Sequence, residues 1–142
     1  MSSFTASAHP VDGLRHAVDV NGRHTIFTDE PQRLGGTDTA PTPHELLAAM
    51  LASCASTMVT IYARRHGWGL EGMRVDVDYD SDATPRRAAL RLHLPSGLTT
   101  EQVTRLRHVA ETCPARRALE AGFEFEEEII LGSATEAHPP AP

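Results

Sequence analysis

The feature that most constrains this chain is an uncharged segment of eighteen residues, Leu46 to Ala63, with Cys54 near its middle. The preceding residues, Thr42 to Glu45, match a T-x-x-E capping box with a proline at the first helical position. The following residues, Arg64 to Gly67, place cations and a glycine where helices commonly end. The pattern therefore predicts one long helix over residues 43–66.

A helix without charge on any side must be covered on all sides, by a large protein core or by a membrane. At 1.5 Å per residue this helix is about 36 Å long, and about five predicted strands cannot surround it within one chain. We therefore expect a homodimer in which the sheet of each subunit covers part of the other subunit's helix. The segment reaches the lower length limit of a membrane span, but its hydroxyl residues and the hairpins elsewhere favour a soluble protein.

The composition is that of an ordinary soluble domain, with 40% apolar and 23% charged residues among 142. A net charge of −6 without a dense basic cluster argues against nucleic-acid binding. All 13 basic residues are arginine, which excludes Schiff-base and P-loop chemistry that needs lysine. The N-terminus MSSFTASAHP lacks an export signal, so we expect a cytoplasmic protein that is not inserted in a membrane.

The remaining elements predict an α+β fold with antiparallel sheets, because strands and helices follow each other without repeating βαβ units. Asn21-Gly22 between two alternating segments predicts a hairpin with a type I′ turn over residues 14–28. Residues 1–10 and 134–142 are polar or proline-rich and are expected to be frayed. We therefore expect one domain, residues 1–142, with an ordered core of about residues 12–131.

The second half of the chain carries further boundary signals. Thr99 with Gln102 is a second capping box, and Cys113 before Pro114 predicts the start of a short helix. Alternation of apolar and polar residues predicts three more strands: Met73 to Tyr79, Ala88 to Leu94 and Phe123 to Leu131.

The two cysteines allow four interpretations from the residues alone. Cys54 can be a small buried apolar residue, since free cysteine is commonly buried. A metal site lacks any C-x-x-C or H-x-x-x-H spacing, and a structural disulfide is disfavoured inside the cell. The fourth interpretation is a redox pair of a nucleophilic and a resolving thiol, Cys54 and Cys113, which lie 59 residues apart.

A nucleophilic thiol must be present as the thiolate. A position in the middle of a helix gives Cys54 no help from that helix's dipole, so an external cation is required, and Arg33 in the preceding loop is the local candidate. Arg33 can equally be a solvated loop residue. Cys113 lies at a predicted helix start, where free N–H groups lower the pKa of a thiol. Composition and spacing do not decide between these interpretations.

Residues 41–54, P-T-P-H-E-L-L-A-A-M-L-A-S-C, resemble the N-P-x-E-L-L-x-A-A-x-x-x-C motif of the OsmC/Ohr family, the osmotically inducible and organic-hydroperoxide-resistance proteins. The nine positions from Glu45 to Cys54 match the family spacing. A second motif, Cys113-Pro114 followed by a short helix and an acidic segment, matches as well. The resemblance extends over about residues 12–131.

The resemblance implies an OsmC-like α+β subunit in an intertwined homodimer, with the two cysteine helices in its core. Cys54 would attack an organic hydroperoxide and Cys113 would resolve the resulting sulfenic acid as a disulfide. A dithiol reductant, lipoyl-type or other, would restore the thiols. Glu45 matches the family glutamate that pairs with an arginine at the thiolate, and Arg33 is the candidate for that arginine. The family implies no cofactor and no metal.

The function expected from the sequence is thus a cysteine-dependent peroxidase acting on organic hydroperoxides in oxidative stress defence. Apolar residues of the long helix, including Leu47, Met50, Leu51 and Met58, suit an alkyl substrate better than hydrogen peroxide. The alternatives are a non-enzymatic redox sensor or small-ligand binder with the same fold, and a purely structural dimerisation module.

Overall fold

The computed structural model describes residues 3–132, and within them the chain forms five strands and three α-helices. In chain order these are β1 (Ala6–Asp12), β2 (Arg15–Val20), β3 (His24–Thr28), α1 (Pro43–His66), β4 (Arg74–Asp80), β5 (Arg87–His93), α2 (Thr100–Glu111) and α3 (Pro114–Ala121). One antiparallel sheet has the order β1-β2-β3, and β4 and β5 form a second, two-stranded antiparallel sheet. The α+β class with antiparallel sheets is confirmed.

The chain divides into two compact units. The first contains residues 1–46 and 126–142, and the second contains residues 47–125. The first turn of α1 therefore belongs to the first unit, and the rest of α1 belongs to the second.

The hairpin of β2 and β3 in the first unit confirms the sequence prediction. Asn21 and Gly22 have φ values of 53° and 65°, the left-handed conformations that a type I′ turn requires at both central positions. Val20 and His24 form the last pair of the ladder before this turn.

The prediction that residues 1–10 are frayed is wrong for residues 6–10, because Ala6–Asp12 form strand β1. Its antiparallel pairing with β2 begins at Ala6 opposite Val20 and ends at Asp12 opposite Arg15. Most β1 side chains are exposed, so the strand is held by backbone pairing and its sequence needs no apolar alternation. The predicted fraying of residues 134–142 lies outside the described residues.

The loop between β3 and α1 is organised around Asp29, which is 1% exposed. One carboxylate oxygen accepts hydrogen bonds from the Thr37 hydroxyl at 2.6 Å, the Thr39 hydroxyl at 2.8 Å and the Thr39 N–H at 3.1 Å. The other accepts from the N–H groups of Glu30 and Thr37. Gly36 is required in this loop, because a Cβ there would overlap the carbonyl of Glu30. The buried carboxylate therefore fixes the segment that leads into α1.

Helix α1 begins and ends where the sequence predicts. The Thr42 N–H donates to the Glu45 carboxylate at 2.9 Å, and the Glu45 N–H donates to the Thr42 hydroxyl at 3.1 Å, which completes the capping box. At the other end Gly67 adopts a φ of 68°, and the Trp68 N–H donates to the Ala63 carbonyl. Both ends of the helix are thus satisfied by the signals read from the sequence.

One chain covers α1 on one side only. The buried residues recur every fourth position and so form one stripe: Leu51, Ala55, Val59 and Ala63. Exposed residues lie between the buried ones in the sequence and therefore on another side of the helix: Ala49, Met50, Ser53, Thr57 and Ile61. By length and composition α1 could cross a membrane, with a mean hydropathy of 1.7 over its most apolar stretch. Only 22% of that stretch is buried, so most of an apolar helix is left uncovered by its own chain.

The core of the second unit forms where the α1 stripe meets α2 and the start of α3. Its buried members are Ala55, Val59, Ala63, Leu106, Ala110 and Cys113. Apolar residues of β4 and β5, among them Val75, Leu90 and Leu92, pack against this cluster. The opposite face carries the polar alternates, with Arg91 paired to Asp78 and His93 to Asp76. The alternation from which β4 and β5 were predicted thus separates an inner apolar face from an outer polar face.

The predicted last strand, Phe123 to Leu131, is not formed in the described chain. Its apolar side chains stand in solvent, with Ile129 87% and Leu131 90% exposed. The alternation of apolar and acidic residues is present, but a strand also needs a neighbouring edge to pair with. Within the described residues this segment has no strand partner.

Replacing the buried loop carboxylate, Asp29→Asn, is expected to lower the Tm by several degrees, because an amide NH₂ would face donors that now converge on an oxygen. The matched control is Asp19→Asn, since Asp19 is exposed and accepts one side-chain hydrogen bond, from Thr25. Thermal unfolding followed by circular dichroism measures both variants. An Asp29→Asn protein as stable as the control would contradict this role.

The Asp29→Asn substitution is also expected to change how the free energy of unfolding depends on pH under acidic conditions. Hydrogen bonds, that from Thr37 foremost, hold the pKa of Asp29 well below its usual range although burial opposes them. A lowered pKa contributes stability that is complete above the unfolded value of about 4 and is lost as the pH falls below it. The stability difference between wild type and Asp29→Asn should therefore shrink below about pH 4.

Candidate active site

The structure brings the two predicted cysteines, Cys54 and Cys113, together in the second unit. Cys54 lies on α1 and is partly exposed, whereas Cys113 is fully buried at the start of α3. The thiol of Cys54 lies close enough to that of Cys113 to raise its pKa. The Sγ of Cys54 also accepts a hydrogen bond from the Ala115 backbone N–H at 3.4 Å. Both thiols are free, so the site contains an accessible thiol beside a buried one.

The sequence break between α2 and α3 explains how Cys113 reaches Cys54. Cys113 has an extended backbone with φ −61° and ψ 147°, and Pro114 occupies the first position of α3. Because the residue before a proline is pushed out of the helical region, α2 cannot continue through Cys113. The change of direction lets Ala110 and Cys113 join one buried cluster with Ala55 of α1.

Burial controls the chemistry of Cys113. The pKa of its thiol is raised, first because burial disfavours the thiolate and then because Cys54 lies beside it. The Arg116 backbone N–H, and to a lesser extent that of Ala115, act in the opposite direction. The expectation that a helix start would lower the pKa of this thiol is therefore wrong, since desolvation outweighs the helix N–H groups.

An open groove of about 770 Å³ lies in the second unit. Leucines from α1 and β5 form much of its wall, including Leu47, Leu51, Leu90 and Leu92. Arginines also line it, two of them paired with glutamates: Arg107 with Glu111 and Arg116 with Glu120. Leu51 lies one helical turn before Cys54, and residues three apart share a helix face. The groove is thus a mainly apolar surface with an arginine and glutamate margin, and neither thiol is among the residues that line it.

The other two predicted site residues, Glu45 and Arg33, lie in the first unit. Glu45 caps α1 through Thr42, as the T-x-x-E capping box in the sequence predicts. Arg33 is exposed in a single 3-10 turn, Gln32–Leu34. No hydrogen bond or ion pair joins Arg33 to Glu45 in residues 3–132. The catalytic roles of Arg33 and Glu45 stay predictions.

Sequence reasoning missed three residues that the structure makes prominent: Asp29, Arg15 and Ala115. Arg15 is held by the loop, since its Nη1 donates to the Thr39 hydroxyl at 2.7 Å and its guanidinium lies 4.5 Å from the centre of the Phe27 ring. An aspartate directly before a loop rich in threonine and glycine was a usable signal for Asp29. No local signal marks Arg15 or Ala115, because their contacts span 24 and 61 residues of sequence.

Comparison with known proteins identifies one family. A family model described as "OsmC-like protein" matches residues 36–128, which contain both cysteines. No curated protein matches the chain at a significant level.

Solved structures of similar fold cover most of the chain. A Psychrobacter arcticus protein, described as an osmotic stress induced and detoxification response protein, is 26% identical with a TM-score of 0.69, covering 82% of this chain and 88% of its own. An organic hydroperoxide resistance protein OsmC from Legionella pneumophila is 27% identical with a TM-score of 0.63, covering 84% and 90%. A Vibrio cholerae protein, described as an organic hydroperoxide resistance protein and solved with captopril in one of its active sites, is 26% identical with a TM-score of 0.62, covering 84% and 87%.

The site geometry predicts unequal reactivity of the two thiols. In the folded protein Cys54 should react with iodoacetamide roughly tenfold or more faster than Cys113, because Cys113 is buried and its pKa is raised. Mass spectrometry of timed, quenched samples measures the labelling of each cysteine. In denaturant the two rates should become similar, which serves as the control. Equal rates in the folded protein would contradict the arrangement described.

Proposed function

Because the chain belongs to the OsmC-like protein family, matched over residues 36–128, we propose that it is a cysteine-dependent peroxidase that reduces organic hydroperoxides. The observation that carries the proposal is the pair of free thiols, one partly exposed on α1 and the other buried at the start of α3. A peroxidase of this kind needs one thiol that meets the substrate and a second that waits for the first to be oxidised. The similar proteins from Legionella and Vibrio carry the name of organic hydroperoxide resistance, which supports the choice of substrate class.

In the first step the thiolate of Cys54 attacks the terminal oxygen of the hydroperoxide. The O–O bond breaks, its electron pair leaves with the alkoxide, and protonation of the alkoxide gives an alcohol. Cys54 is oxidised to the sulfenic acid and the hydroperoxide is reduced by two electrons.

In the second step the thiolate of Cys113 attacks the sulfenic sulfur of Cys54. A disulfide forms, and hydroxide leaves and is protonated to water. A dithiol reductant then exchanges with the disulfide, so that the reductant is oxidised and both protein thiols are restored. Burial raises the pKa of the Cys113 thiol and so favours its less reactive protonated form.

The groove beside the site supports a preference for organic substrates. Its leucine-rich wall can bury an alkyl or aryl group, which hydrogen peroxide does not possess. Arg33 is proposed to stabilise the thiolate and polarise the peroxide, with Glu45 orienting its guanidinium.

The uncovered sides of α1 support a homodimer. In one chain α1 buries a single stripe and leaves Met50, Thr57 and Ile61 exposed, which a second copy of the chain would cover. The apolar segment from Phe123 to Leu131 likewise has no strand partner among the described residues and would gain one by pairing with a second copy. A cytoplasmic location is proposed with this assembly.

The proposed chemistry predicts distinct defects for the two cysteine variants. Cys54→Ser should abolish peroxide consumption because no nucleophile remains, whereas Cys113→Ser should complete one turnover and then stall without a resolving thiol. Rapid mixing with cumene hydroperoxide or hydrogen peroxide, followed by thiol loss, measures both steps, and cumene hydroperoxide should react faster. Full multiple-turnover activity of Cys54→Ser would refute the assignment. Oxidation of wild type that stops at one equivalent with every dithiol tested would favour the redox sensor instead.

The proposed dimer predicts a mass of twice the 15.4 kDa of one chain by size-exclusion chromatography with light scattering. Thr57→Arg places a cation on the uncovered side of α1 and should shift the protein toward monomer, because the charge would be buried without a partner. Thr104→Arg on the exposed side of α2 is the matched control and should leave the mass unchanged. A wild-type mass of one chain would overturn the dimer.

A further inference from the structure

A thiol in the middle of a helix needs a stabilising group from elsewhere before it can act as a thiolate. The N–H groups of α1 around Cys54 are engaged in the helix itself. In the second unit Arg116 is the arginine whose charge couples to a thiol, but that thiol is Cys113, and its guanidinium is held by Glu120 at 2.6 Å. The donor that reaches the Sγ of Cys54 is instead a backbone amide, that of Ala115.

The sequence at the start of α3 leaves two free amides. Pro114 has no N–H, and the first N–H bonded within the helix is that of Arg117, which donates to the Cys113 carbonyl at 3.0 Å. The N–H groups of Ala115 and Arg116 lie between these and are not needed by the helix. Free amides at a helix N-terminus stabilise a negative charge that lies within hydrogen-bond distance of them.

One of these amides is directed at a thiol. The Ala115 N–H donates to Cys54 Sγ at 3.4 Å. The side chain of Cys113, the N-cap residue of α3, accepts no hydrogen bond from the first turn of the helix. The first turn of α3 therefore contacts the sulfur of Cys54.

We propose that the Ala115 amide, in the first turn of α3, is a group that stabilises the thiolate of Cys54. The inference rests on the proposed function for its catalytic meaning, because Cys54 must become a thiolate in the first step. Ala115 acts through its backbone, so the catalytic group is an amide that no side-chain motif reveals. A donor from a second helix thereby stabilises the Cys54 thiolate, which the middle of α1 cannot do.

Nuclear magnetic resonance tests the contacts without altering the helix. In a Cys113→Ala protein the Ala115 amide proton should shift as Cys54 ionises, with the midpoint seen for alkylation of Cys54. In a protein with both cysteines replaced by alanine the same amide should not titrate, which is the control. Alanine is used at position 113 because serine there would add a new cap acceptor for the same amide. An Ala115 amide that does not respond to Cys54 would overturn the proposal.

A substitution tests whether the Ala115 amide matters for reactivity. In the Cys113→Ala background, replacing Ala115 by lactic acid converts its amide to an ester, which removes the N–H and keeps the side chain. Alkylation of Cys54 at pH 7 should slow by roughly tenfold, as expected for loss of one charge-assisted hydrogen bond. The same protein with alanine introduced at position 115 by the same route is the matched control and should react as the background protein does. Equal rates for the ester and the amide would overturn the role of this N–H.

Neither measurement uses peroxide, so the two proposals can fail separately. The amide can prove unimportant in a protein that is an active peroxidase, or it can stabilise the thiolate in a protein that has no peroxidase activity. A protein that shows the Ala115 amide titration but consumes no hydroperoxide would retain the stabilising amide and lose the proposed function. Arg33→Ala provides the competing comparison. If it slows alkylation of Cys54 tenfold while the Ala115 ester does not, Arg33 and not α3 stabilises the thiolate.

Discussion

The packing of α1 and α2 in one buried cluster is the constraint on which the site depends. Ala55, Val59 and Ala63 of α1 share this cluster with Leu106 and Ala110 of α2. The shared cluster brings the end of α2, and therefore Cys113, to the side of α1 that carries Cys54. A larger residue at these positions would separate the thiols before it affected either cysteine directly.

The site separates two chemical properties that an isolated cysteine cannot combine. Cys54 is partly exposed to solvent, whereas Cys113 is buried and so shielded from reagents in solution. The short helix that begins after Cys113 contacts the exposed thiol through the Ala115 amide. Backbone N–H groups at a helix start are donors at fixed positions, so their use does not cost side-chain entropy.

The signals that the sequence predicted well are local ones. The boundaries of α1 follow from Thr42, Glu45 and Gly67, and the hairpin turn follows from Asn21-Gly22, since each is decided within a few residues. Strand β1 was missed because its formation depends on pairing with β2 and not on its own pattern. The strand predicted for residues 123–131 is absent for the same reason: the segment has the alternating pattern but no neighbouring strand to pair with among the described residues. The Ala115–Cys54 contact could not be predicted at all, since it depends on how two helices pack.

The segment from Phe123 to Leu131 has a consequence for the behaviour of the unassembled chain. Exposed apolar residues with strand-like alternation are the usual origin of non-specific edge pairing and aggregation. Here acidic residues at 124 and 126–128 interrupt them and act as gatekeepers. Like charges would oppose stacking of this segment on identical copies of itself. The glutamates therefore limit which strand edge the segment could join, because an acidic neighbour would be repelled and a basic or neutral one would not.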